Sequence, residues 1–152
     1  IVRDHTNAEV MNPDGFETLR TPAVLSGSFP VRRLITVRHP LDCWLGMSAL
    51  GWMRFGIPEY CARFLRFALL AADAGFERYE DFTRDPNGVV RRMASTLGLT
   101  YDSGWQARME GAPAPRPRRP MRAADLAAFE AEPAYLRALD VLGYERSAGL
   151  VA

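Results

Sequence analysis

Apolar and polar positions fall along the chain in two rhythms, one suited to strands and one to helices. Val31-Arg32-Arg33-Leu34-Ile35-Thr36-Val37 closes in four residues rich in β-branched types, which predicts a strand buried on both faces. Pro40 then stands where a first helical residue belongs, a place where its missing N–H costs the hydrogen-bond ladder nothing. Beyond it Leu41, Trp44, Leu45 and Ser48 share one face at helical spacing. The segment reads as a strand–turn–helix unit.

After Pro58, the residues Tyr60, Phe64, Phe67 and Ala71 recur at intervals of four, three and four. That stripe predicts an amphipathic helix, ended by Gly75. Phe76–Phe82 reads as a short strand running into a loop. Asp85-Pro86 is a cap for a further helix, with Val89, Val90, Met93 and Leu97 facing inward and Gly98 as the stop. Residues 113–120 form a proline-rich, extended linker. Ala123–Glu130 and Pro133–Leu142 read as two short helices, the second ended by Gly143.

Residues 6–30 are loop-rich, with Asn12-Pro13-Asp14-Gly15 and Thr21-Pro22 as turn signals and a short helix placed around residues 16–19. Nothing repeats at a fixed period, which argues against a solenoid. Helices alternating with at least two strands predict an α/β layer structure, a short parallel sheet flanked by helices. So few strands make a thin sheet, and the chain opens on Ile1-Val2-Arg3 as though inside a strand. The expectation is a single incomplete domain over residues 1–152, with a segment missing upstream and residues 121–152 as its C-terminal helices. An incomplete sheet edge would also invite self-association.

Composition narrows the choice of function. The 152 residues are 48% hydrophobic and 24% charged, enough to bury a core. With 19 basic against 18 acidic residues the net charge is +1, so no global field draws the chain to nucleic acid. Positive charge must act locally. Cys43 and Cys61 lie in apolar stretches without metal-ligand or disulfide spacing, which reads as two free thiols in a reducing compartment. No metal is expected. No apolar run reaches the ~20 residues of a membrane span, and no secretory signal opens the chain. A cytoplasmic protein with no membrane partner is the expectation.

The chemistry begins at Val37-Arg38-His39-Pro40-Leu41-Asp42. Ligands of open α/β sheets bind beyond the carboxyl ends of the strands. A helix start there adds unpaired N–H groups and partial positive charge, which favour an anion. Arg38 contributes a planar fork that matches two phosphate oxygens. Asp42, one turn on, is placed to hold the guanidinium. The alternative is a structural ion pair of Arg38 with Asp42 that fastens strand to helix.

Arg38-His39-Pro40-Leu41-Asp42 after an apolar strand resembles the 3′-phosphate motif of sulfotransferases that use 3′-phosphoadenosine 5′-phosphosulfate (PAPS). The resemblance continues in order through Tyr60-Cys61, Arg78-Tyr79-Glu80-Asp81-Phe82, Asp85-Pro86, Leu97-Gly98-Leu99, Arg116-Pro117-Arg118-Arg119-Pro120 and Leu142-Gly143-Tyr144. It implies a partial three-layer, P-loop-like sulfotransferase fold that takes PAPS as sulfuryl donor. Its partners would be that nucleotide and an acceptor hydroxyl or amine.

Carried over residue by residue, the resemblance gives Arg38 the 3′-phosphate. The family's second phosphate ligand, a serine eight residues further on, is here Gly46. Ser48 follows two residues later, about 200° around a helix from that position, and does not replace it. Tyr79 would lie against the adenine, offering a ring face and a hydroxyl; a core tyrosine at a strand end is the alternative. Glu80 and Asp81 shape the loop, with Asp81 paired to a nearby arginine. His39 is a turn residue beside the phosphate.

Val2-Arg3-Asp4-His5 resembles the segment that carries the family's catalytic histidine, making His5 the candidate general base. Imidazole, with an unperturbed pKa of ~6.5, suits removal of a proton from an acceptor hydroxyl near neutral pH. Arg116, Arg118 and Arg119 would touch the nucleotide phosphates from a linker that is otherwise solvated; a patch for nucleic acid or an acidic partner is the competing reading. The family's glycine-rich phosphosulfate loop, with its lysine or arginine, does not occur in these residues. The resemblance therefore implies a sulfotransferase fragment that is inactive alone. A degenerate nucleotide-binding domain and an interaction module remain as alternatives. Phe16, Trp52, Met53 and Phe55 are apolar enough to line an acceptor pocket and equally suited to ordinary packing.

Overall fold

The computed structural model describes residues 20–109 and 121–146. Helix α1 (Arg20–Ser26) precedes strand β1 (Ile35–Val37), followed by helices α2 (Pro40–Ala49) and α3 (Ile57–Ala74). Strand β2 (Phe76–Arg78) leads directly into α4 (Tyr79–Arg84) and α5 (Pro86–Leu97). Two single 3₁₀ turns, Ser103–Trp105 and Ala107–Met109, come next, and α6 (Ala123–Glu130) and α7 (Pro133–Leu142) close the described chain.

The two strands pair in parallel, with Ile35 opposite Phe76, Thr36 opposite Glu77 and Val37 opposite Arg78. Parallel neighbours need a long crossover, and α2 with α3 supplies it. The fold is a short parallel sheet in a mostly helical α/β protein. The linker of residues 113–120 and the helix placed at 16–19 lie outside the described residues.

Helix α3 organises the core. Its predicted stripe of Tyr60, Phe64, Phe67 and Ala71 is buried, as are Cys61 and Ala68. The α6–α7 pair covers this face with Leu126, Phe129, Tyr135, Ala138, Leu139 and Leu142. Phe129 is the shared centre, its ring 5.4 Å from Trp44, 5.9 Å from Tyr60 and 5.4 Å from Tyr135, all edge to face. Burying one such ring stabilises the fold by roughly 1.5–3 kcal/mol. The same cluster reaches Ile35, Val37 and Leu41, so the C-terminal helices and the strand-end turn rest on one core.

Local signals set the helix ends as predicted. Asp85 accepts the Gly88 N–H at 2.9 Å to start α5, and Gly98 stops it in the left-handed region at φ 68°. Gly143 does the same for α7 at φ 66°.

Four expectations are corrected. Strand β1 buries apolar side chains on one face only, since Ile35 and Val37 face the core while Thr36 is exposed; on that second face its neighbour Glu77 pairs with Arg92 of α5. Thr21-Pro22 does not break the chain into a turn but lies in the first turn of α1, where Pro is tolerated. Residues 79–84 form a helix rather than a loop. Ser48 is exposed and does not join the inward face of Leu41, Trp44 and Leu45. Among the described residues no helix is long and apolar enough to cross a membrane.

Candidate functional site

Because Val37 and Arg78 are paired, the next residues, Arg38 and Tyr79, leave the carboxyl ends of neighbouring strands side by side. The Arg38 guanidinium carbon lies 5.1 Å from the centre of the Tyr79 ring, within cation–π range. On its other edge Arg38 Nε is 3.8 Å from Asp42 Oδ2, longer than a hydrogen bond. The Arg38 side chain is 42% exposed while the Asp42 side chain is buried. Asp42 therefore anchors the guanidinium from below and leaves its fork accessible. Tyr79 opens α4 and is exposed as well.

The start of α2 differs from expectation. Its first donors are used within the protein. The His39 N–H donates to Glu80 Oε1 at 2.9 Å, the Leu41 N–H donates to His39 Nδ1 at 3.3 Å, and Pro40 carries no N–H. His39 is thus the N-cap of α2, buried. An anion at this turn would meet the guanidinium of Arg38 rather than a ring of unpaired amides at the helix start.

Glu80 is the residue that sequence reasoning undervalued. One carboxylate oxygen takes the His39 N–H, and the other accepts the Tyr144 O–H at 2.7 Å. Desolvation and this bond to Glu80 hold the Tyr144 phenol well above its ordinary pKa. The Tyr144 ring stands edge-on to His39 at 5.0 Å and lies 5.5 Å from the Arg78 guanidinium. Arg78 in turn bonds Asp81 Oδ2 at 2.6 Å and the Gly143 carbonyl. Asp81 also receives Arg84 at 3.1 Å, so the arginine partner expected for Asp81 is present twice. No hydropathy period marks Glu80 or Tyr144, whose bond spans 64 positions.

Gly46 lies in α2 one turn beyond Asp42, on the same side of the helix by its spacing of four. It is exposed, and a Cβ placed there meets nothing within 4 Å. Ser48 projects from another side of the same helix. The structure thus brings Arg38 and Tyr79 together at one end of the sheet, with Gly46 further along α2 on the flank of Asp42 and Ser48 on another side of that helix. His5, Arg116, Arg118 and Arg119 lie outside the described residues.

The thiols offer no activated nucleophile. Burial pushes Cys43 up to about 12, and its Sγ lies 3.7 Å from the Arg38 carbonyl oxygen. Cys61, fully buried, is also raised by burial to about 12. Of the apolar residues considered for an acceptor, Trp52 is 68% exposed, Phe55 faces Arg63 at 4.9 Å, and both Phe55 and Met53 pack against the core. Phe16 lies outside the described residues. Among the described residues no three His, Cys, Asp or Glu side chains gather as a metal site.

Compared with models of known protein families, with curated proteins and with solved structures, the chain matches none.

Proposed function

We propose that the strand-end site binds the 3′-phosphoadenosine moiety of PAPS, and that the chain is the nucleotide-holding part of a sulfotransferase acting on a hydroxyl or amine. The observation that carries this reading is the accessible Arg38 guanidinium lying over Tyr79 at the ends of two paired parallel strands. A 3′-phosphate would take the guanidinium fork, two charge-assisted hydrogen bonds in one plane. The adenine would lie by Tyr79, and the short parallel sheet would be part of the three-layer, P-loop-like fold of that family.

In the reaction the acceptor oxygen or nitrogen attacks sulfur, the sulfur–oxygen bond to the 5′-phosphate breaks, and the acceptor proton passes to a base. His5 is the proposed base, and Arg116, Arg118 and Arg119 are proposed contacts to the nucleotide phosphates. This chain's described residues bind and orient; the phosphosulfate end needs a loop that these 152 residues do not contain.

A second reading, a nucleotide-binding domain without catalysis, is favoured by the bare helix flank at Gly46. Isothermal titration of the chain with adenosine 3′,5′-bisphosphate and with 5′-AMP tests the nucleotide site common to both. The expected result is tighter binding of the bisphosphate, lost in Arg38→Ala. Equal binding of the two nucleotides, or unchanged binding by the variant, overturns it. Turnover of PAPS after supplying an upstream phosphosulfate loop separates enzyme from binding domain.

A further inference from the structure

We propose that Glu80 and Tyr144 are positioning residues for Arg38, so that the segment following α7 sets the affinity of the strand-end site. The affinity part of this inference rests on the nucleotide reading above; the positioning part stands on the geometry.

The peptide that joins Arg38 to His39 is a rigid plane, and the protein holds it from both sides. Its N–H donates to Glu80 Oε1 at 2.9 Å. Its carbonyl receives the Cys43 thiol at 3.7 Å. With that plane held, and Val37 before it held in the strand ladder, the direction in which the Arg38 side chain leaves the backbone is restrained from both sides. Glu80 is also the neighbour of Tyr79, whose ring faces Arg38 at 5.1 Å. The carboxylate's own bonds go to the Arg38 side of that pair, through the His39 N–H, and to Tyr144.

Glu80 cannot hold this geometry by itself, since a glutamate side chain has several rotamers. Tyr144 restricts it through the 2.7 Å bond to its second oxygen. Tyr144 is restrained in turn by His39 on one side and Arg78 on the other. Arg78 also reaches the Gly143 carbonyl, so the backbone next to Tyr144 is fastened to the same cluster. The carboxylate lies at the N-terminal end of α2, where negative charge is favoured by the helix. These contacts leave the Arg38 fork outside the cluster and accessible.

The test uses the full chain. Amide exchange at His39, followed by NMR without ligand, reports whether the bridge fixes the turn. In Tyr144→Phe, exchange at His39 should quicken about fivefold, the factor that one hydrogen bond of ordinary net strength is worth. Amides of α5 such as Ala94 should keep their rates, which a general loss of stability would not allow. Glu80→Ala should give a larger effect and Glu80→Gln a smaller one, because the amide keeps an acceptor for His39. In titrations, Tyr144→Phe should weaken the bisphosphate about fivefold and leave 5′-AMP unchanged, with no further loss on the Arg38→Ala background. Unchanged exchange at His39 overturns the positioning role whatever the ligand. Equal weakening of both nucleotides overturns the action through Arg38. Failure of the unaltered chain to distinguish the two nucleotides overturns the nucleotide reading, and the affinity claim with it, while the exchange result still decides the positioning role.

Discussion

The Arg38 guanidinium sits 5.1 Å over the Tyr79 ring, and the two residues follow directly on the matched pair Val37 and Arg78. Parallel register thus places a cation and an aromatic face side by side, although 41 positions separate them in the chain. Arg38→Lys separates the contribution of charge from that of shape. Lysine keeps the charge but loses the planar fork and its stacking. Bisphosphate affinity should fall at least about fivefold, near 1 kcal/mol, with the melting temperature unchanged within ~2 °C. Titration calorimetry beside a thermal melt checks both. Full affinity in the lysine variant would show that charge alone suffices.

Gly46→Ser asks whether the bare flank of α2 limits binding. Open space surrounds the Cβ position, so the substitution meets no obstacle. Glycine inside a helix is less favourable than most residues, and the change should raise stability by roughly 0.5 kcal/mol. A hydroxyl one turn beyond Asp42 should also strengthen bisphosphate binding about threefold to tenfold. Ser48→Ala should leave affinity unaltered. A serine at position 46 that raises stability without raising affinity would separate this flank from the phosphate site.

Stability should fall at alkaline pH, and the direction follows from burial. Cys43 and Cys61 are raised from 9.0 to about 12, and buried Tyr60 is raised well above 10.0. Between pH 9 and 12 the folded chain keeps protons that the unfolded chain releases, so stability declines with rising pH there. Below pH 9 this contribution is fully present. Melting temperature should hold level from about pH 7 to 8.5 and drop beyond it, less steeply in Cys61→Ala. Iodoacetamide should label both thiols slowly at pH 8 until denaturant is added.

Much of the framework was legible in the residues themselves. The Tyr60–Phe64–Phe67–Ala71 stripe, the Asp85 cap and the glycine stops at 98 and 143 all act within a few positions, where short-range rules apply. Helices α6 and α7 also begin and end where the pattern puts them. The single-sided apolar burial of β1 was not legible, because a β-branched run reads alike whether apolar packing covers one face or both. Helix α4 escaped notice since its six residues are too few to show a period, and its carboxylates at 80 and 81 act through partners elsewhere. At the site, the placement of Arg38 before a helix could be read directly. Consumption of the His39 N–H by Glu80 could not, because its partner lies 41 positions away.

The fastening of Tyr144 to Glu80 has a bearing on how the protein is made. Translation releases residues from the amino end first, and the turn at residues 38–42 leaves the ribosome long before residue 144 does. Until then it lacks the phenol that steadies it and the α6–α7 cover over α3. A nascent chain can form its helices as they emerge, since those bonds are local, whereas full restraint of the strand-end corner waits for a contact of long sequence separation. Chains stalled or clipped before Tyr144 should accumulate with helical content and a strand-end corner held only by its remaining bonds.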